Sequence, residues 1–170
     1  MDSKSFENWL AEYRRLRLPS WEELSPPLDL YMDQVIDEVN QYIVPLTDTS
    51  ITKTMINSYV KKGLVNKPIK KRYGRLNIAQ IIVVSLMKST FSLDTINRGI
   101  QISRDGVKVP DNYSKFTVLY NAEIAQLEAI PSQPVDDYQI MAIRAVLYQT
   151  IVKHLVNGNA AADPIIAKAQ

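Results

Sequence analysis

The run Ile78-Ala-Gln-Ile-Ile-Val-Val-Ser-Leu-Met87 carries apolar side chains around nearly its whole helical circumference. A helix with no polar side has no face to give to water, so it must lie at the covered centre of whatever the rest of the chain builds. It falls short of the ~20 residues that cross a bilayer, and Gln80 and Ser85 interrupt it, which makes it a core helix and not an anchor. The segments around it are striped. Phe6, Trp9, Leu10 and Tyr13 recur at spacings of three and four and predict a first helix, begun after Ser3 or Ser5 and ended before Pro19. Val35, Ile36, Val39 and Ile43 stripe a second helix, stopped at Pro45, with Pro26-Pro27 marking an extended link before it.

The Thr47-Asp48-Thr49-Ser50 loop ends in good N-cap residues, and a third helix runs from about Thr52 to Lys62. Gly63 stands where a left-handed residue would stop it. Ile56, Tyr59 and Val60 face inward in this helix, and Lys53, Thr54, Asn57, Ser58 and Lys61 fall on the opposite side. Residues 66 to 75 are too short and irregular for a helix and read as a turn or tiny hairpin carrying Lys67, Lys70, Lys71, Arg72 and Arg75. The central helix starts at about Asn77, and Ser92 caps a fifth with Asp94 in its first turn. Tyr113, Phe116, Tyr120, Ile124 and Leu127 seam a sixth helix, broken at Pro131 and Pro134. A seventh, about Asp136 to Val156, bears two stripes: Met141, Ala145, Tyr148, Val152 and Leu155 beside Ile140, Ile143, Leu147 and Ile151. Two stripes predict a largely buried helix, covered by the sixth helix or by a symmetry mate in a homodimer. The tail from Asn157-Gly158 is small and polar and is expected to fray. Every long apolar segment has helical period, so the expected fold is all-α with at most a small two-stranded hairpin.

Charge is distributed unevenly. Residues 1 to 48 hold four basic and ten acidic side chains, residues 49 to 93 hold nine basic and none acidic, and residues 94 to 170 hold seven and eight. Forty-five residues without a carboxylate, in a chain with eighteen, form a footprint for an anionic partner, and a phosphate backbone is the commonest one. Catalytic chemistry is not legible. Cysteine is absent, which excludes thiolate nucleophiles, thiolate zinc sites and disulfides. His154 is the sole histidine and sits beside the apolar stripes of the seventh helix. Asp136-Asp137, just after Pro134, supply cap and first-turn acids, and no glycine-rich phosphate loop or metal-ligand spacing occurs. The chain is therefore read as a non-enzyme with no cofactor, no catalytic residue and no metal site. Its opening Met1-Asp2-Ser3-Lys4-Ser5 lacks the basic and apolar runs of a secretory signal, so a cytoplasmic location with no membrane contact is expected.

The order of pieces from Ile56 onward resembles the DNA-binding half of MerR-type regulators, in which a recognition helix ending Tyr-x-x-x-Gly-Leu leads into a small wing. Tyr59, Gly63 and Leu64 match that ending, Tyr73 matches the aromatic that closes the wing, and Phe91-Ser92-Leu93-Asp94-Thr95-Ile96 resembles the helix start that follows. The combination Thr52 to Asn57, Tyr59-Val-Lys61, Lys70-Lys71-Arg72-Tyr73 and Ile78-Ala79 is similar to a bacterial domain-of-unknown-function family, number 1836, from about Leu30 onward. Asn57 and Val60 stand where MerR proteins usually carry arginine and glutamate. The resemblance implies a MerR-like winged helix-turn-helix over residues 30–105, preceded by a helix and linker (1–29) and followed by a C-terminal helical region (106–157) and a flexible tail (158–170). It implies a regulator that binds double-stranded DNA. Lys53, Thr54, Asn57, Ser58 and Lys61 would lie in the groove, and Lys67, Lys70, Lys71, Arg72 and Arg75 would hold phosphates. The alternative is a non-enzymatic adaptor that keeps the winged fold and offers its basic face to an acidic protein.

Overall fold

The computed structural model describes residues 3–24, 29–103, 109–127 and 134–161. Seven helices follow one another: α1 (Ser3–Tyr13), α2 (Met32–Thr47), α3 (Lys53–Lys61), α4 (Arg75–Lys88), α5 (Leu93–Ser103), α6 (Val109–Ala125) and α7 (Pro134–Ala161). Among the described residues the extended pairing amounts to two isolated antiparallel bridges, Leu30 with Tyr73 and Ile69 with Arg72. The chain is thus mostly helical. The Pro26-Pro27 link, the change at Gly106, the break at Pro131, the side chains of Asp136 and Asp137 and the tail beyond Ala161 lie outside the described residues.

The apolar circumference of α4 puts it at the centre. Ile78, Ala79, Ile81, Ile82 and Val84 are each within 1% of complete burial. The α2 stripe of Val35, Val39 and Ile43 lies against it, Ile56 and Tyr59 close it from α3, and Tyr113 and Ile124 from α6. Leu18 and Leu24 of the segment after α1 enter the same core. Asn121 of α6 holds that segment like a strand partner: its Oδ1 accepts the Leu18 N–H at 2.8 Å and its Nδ2 donates to the Leu18 carbonyl at 3.0 Å. One core therefore draws side chains from before residue 30, from 30–105 and from after 105.

Several boundaries differ from the sequence reading, among them the start of α7, which begins at Pro134 itself and not at about Asp136. α2 does not stop at Pro45 but continues to Thr47. A proline in the last turn removes one N–H donor, and three features offset that loss: Leu46 is buried, the Tyr13 hydroxyl donates to its carbonyl at 2.8 Å, and the Thr47 hydroxyl bonds back to Ile43 at 2.9 Å. α4 starts at Arg75, two residues early, because Asn77 accepts the Gly74 N–H at 3.0 Å and closes the first turn. α7 runs through Asn157 and Gly158 to Ala161, with Asn157 bonded to Arg98 of α5.

The larger difference is the environment of α7. It lies along α5, Gln149 also donates to the Thr90 carbonyl in the turn before that helix, and α7 is not buried. Ile143, Leu147, Ile151 and Leu155, four apart along one face, are each more than half exposed. Tyr148, Val152 and Leu155 of the other stripe are exposed as well, so neither stripe is covered along its length among the described residues.

Candidate nucleic-acid interface

α3 is nine residues long and sharply two-sided. Thr52 caps its start, its hydroxyl accepting the Met55 N–H at 3.4 Å, and Gly63 (φ 74°) ends it in the left-handed conformation that glycine adopts without a Cβ clash. Ile56 and Tyr59 anchor the inner face at 0% and 2% exposure, and burial raises the Tyr59 hydroxyl above its ordinary pKa. Lys53, Thr54, Asn57, Ser58 and Lys61 are all exposed. The approach to α3 is fixed by Asn40 of α2, whose Oδ1 accepts the Ile51 N–H at 2.8 Å.

From Leu64 the chain enters the basic turn, and its root is bound to α4. Asn77 Nδ2 donates to the Asn66 carbonyl at 2.8 Å, Gln80 Oε1 accepts the Asn66 N–H at 2.9 Å, and Gln80 Nε2 donates to Asn66 Oδ1 at 3.3 Å. These are two of the three polar residues that α4 buries amid its apolar surface, Ser85 being the third, and they serve the turn. At its tip Ile69 and Arg72 exchange backbone hydrogen bonds, N to O at 3.1 and 2.9 Å. Lys70 and Lys71 between them both have positive φ, 50° and 64°. This is the two-residue hairpin turn that normally selects Asn-Gly, here made by two lysines whose Cβ atoms are crowded by it. Lys67, Lys70, Lys71, Arg72 and Arg75 are exposed.

The ten side chains expected to touch DNA therefore all stand at the surface, on α3 and on the turn that follows it. They are not equivalent. Lys53, Lys61, Lys67, Lys70 and Lys71 have no ion-pair partner among the described residues. Arg72 is engaged: its guanidinium lies 4.3 Å from the Tyr31 ring centroid, with hydrogen bonds to the Tyr31 hydroxyl at 2.9 Å and the Asp29 carbonyl at 3.2 Å. Arg75 sits 5.8 Å from the centre of the Trp21 ring. Both arginines thus tie the turn to the segment before α2. Sequence reasoning missed this and also missed Asp29, whose carboxylate packs against Gly74 and sets an acid beside the basic turn. No local sequence signal links residues more than forty apart.

Residues 19–122 match the family described as Domain of unknown function (DUF1836), and the chain belongs to that family. The match takes in Leu24, α2 to α5 and most of α6, the elements that build the core and carry the basic surface. No curated protein and no solved structure matches the chain.

Proposed function

We propose that the protein is a DNA-binding transcriptional regulator in which α3 enters the major groove and residues 66–75 follow the phosphate backbone as a MerR-like wing. The observation that carries this reading is the division of α3. Its inner face is locked into the core by Ile56 and Tyr59, while the outer face offers two lysines, an asparagine and two hydroxyls to solvent, with no acid on the helix. Rigid backbone and short polar side chains suit base-edge contact, and Lys70 and Lys71 on a tight turn suit phosphate contact. Groove-reading helices usually work in pairs, and the uncovered row Ile143, Leu147, Ile151 and Leu155 fits a second copy of α7 laid alongside it. Fluorescence anisotropy with labelled duplex DNA at two salt concentrations tests the reading. Affinity is expected to fall steeply with salt, and an absence of salt-dependent binding to any duplex rejects it.

A second reading, an adaptor whose basic face meets an acidic protein, draws on Lys62. That residue already accepts a carboxylate at this surface, pairing with Asp94 at 3.6 Å.

A further inference from the structure

Side chains of α4, α5 and α6 line a cavity of about 550 Å³. Its size is that of small-molecule sites, which run from about 300 to 1,000 Å³. The walls are apolar: Val83 of α4, Ile100 of α5, and Phe116 and Leu119 of α6. Leu119 is 56% exposed, a large side chain left at the wall without cover.

Of the polar groups in this lining, Gln80 is bonded to Asn66, Ser103 to the Ile100 carbonyl and Tyr113 to the Pro19 carbonyl. Two others remain, both on α6 and three residues apart, hence on one face of the helix. Asn112 carries a buried Nδ2 with no acceptor. Lys115 is exposed and has no ion-pair partner among the described residues. A buried donor left unpaired is uncommon in folded chains and marks a place where an acceptor is missing. Here the missing acceptor lies beside a free cation at the edge of an apolar cavity, and a single ligand chemistry meets all three conditions.

We propose that this cavity binds a small apolar carboxylic acid. Its hydrocarbon body lies against Val83, Ile100, Phe116 and Leu119, and its carboxylate accepts from the Asn112 amide and pairs with Lys115. A neutral or cationic analogue of the same body fills the same space but leaves Lys115 unpaired or repelled. Binding at this site needs no DNA and stands apart from the regulator reading.

The test uses the full chain with decanoate, decanol and decylamine as probes, followed by titration calorimetry without DNA. Decanoate is expected to bind saturably at one site and more tightly than either analogue. Lys115→Glu reverses the rim charge at an exposed position and is expected to weaken decanoate about tenfold, the effect of one modest ion pair. Asn112→Leu is expected to weaken it several-fold while leaving the ligand-free melting temperature unchanged or higher. Lys153→Glu, on α7 outside the cavity, is expected to change nothing. The proposal is overturned by a lack of saturable decanoate binding, by equal affinity for the three probes, or by a Lys115→Glu protein that binds decanoate as the parent does.

Discussion

Arg72 stacks its guanidinium over the ring of Tyr31 and donates to the hydroxyl of the same residue at 2.9 Å, so the basic turn is fastened to the entry of α2 by one of its own cations. The backbone bridge between Leu30 and Tyr73, with N–O distances of 2.9 and 2.8 Å, lies beside this contact. Arg72→Ala is therefore expected to cost about 1 kcal/mol of stability, from an exposed cation–π contact and its hydrogen bonds. The same change is expected to flatten the salt slope of DNA binding less than Lys71→Ala does. Denaturant melts and anisotropy on the two variants give both comparisons. An Arg72→Ala protein of unchanged stability with the larger loss of slope would show the arginine to be free for phosphate.

Lys70 and Lys71 hold left-handed backbone that asparagine and glycine adopt at lower cost. The double change Lys70→Asn with Lys71→Gly is expected to raise stability by about 1–2 kcal/mol by relieving that crowding. It also removes two charges, so duplex binding is expected to weaken for all sequences alike. A variant that gains stability and keeps full affinity would show that the lysines serve neither the fold nor DNA.

Much of this arrangement is legible in the sequence, and the parts that are not share a cause. The inward phase of Ile56 and Tyr59, the stop at Gly63, the cap at Ser92 and the centrality of α4 all follow from residue type and spacing within a dozen positions, while the cap of α3 is Thr52 and not the end of the 47–50 loop. The hairpin tip is placed correctly because irregularity and basic charge exclude a helix there. Its left-handed lysines are not foreseeable, since the Ile69–Arg72 pairing overrides local preference. The occupation of Arg72 and the packing of Asp29 on Gly74 depend on the fold bringing the two segments together. The apolar faces of α7 stand exposed within the chain, because periodicity identifies such faces without saying what covers them.

Asn66 sits at the root of the turn, and Gln80 holds both its backbone N–H and its side-chain oxygen. Gln80→Leu keeps the volume and removes both partners, leaving the Asn66 N–H without an acceptor. A loss of about 1–3 kcal/mol is expected. Hydrogen exchange is the sharper measurement, because the Asn66 amide is expected to lose protection before those of α4. Uniform loss across α4 would mean that Gln80 supports the core and not the turn.

Burial holds the hydroxyls of Tyr113 and Tyr120 above the ordinary tyrosine pKa of 10.0. The unfolded chain releases these protons first, so this contribution is complete below pH 10.0 and is lost as the pH rises from there towards the folded value. The Tyr113 hydroxyl also donates to the Pro19 carbonyl at 3.0 Å, so Tyr113→Phe is expected to cost about 1 kcal/mol at neutral pH. Phenylalanine has no proton to lose, and the gap between the two proteins is expected to narrow above pH 10. Urea melts at pH 7.5 and 10.5, with estimated midpoints compared within about 0.5 kcal/mol, check the sign. A gap that stays constant or widens contradicts it.

The outer face of α3 separates positioning from reading, and Asn57 is the residue that tests the distinction. It is exposed at the middle of a nine-residue helix whose inner neighbours, Ile56 and Tyr59, are fully packed, so Asn57→Ala leaves the fold intact. An asparagine amide matches the donor and acceptor pair on the major-groove edge of adenine, and removing it is expected to cost about 1–3 kcal/mol on a preferred site. On random duplex, where phosphates supply the binding, the same variant is expected to behave as the parent does. Lys53 and Lys61, charged and near the two ends of the same outer face, are expected to show the opposite pattern, with a similar loss on every sequence and a lower salt slope. Selection of bound fragments from a random duplex pool, followed by anisotropy on the winner and on a scrambled control, measures both. Equal losses for Asn57→Ala on the two duplexes would remove base reading from α3 and leave only a phosphate-binding surface.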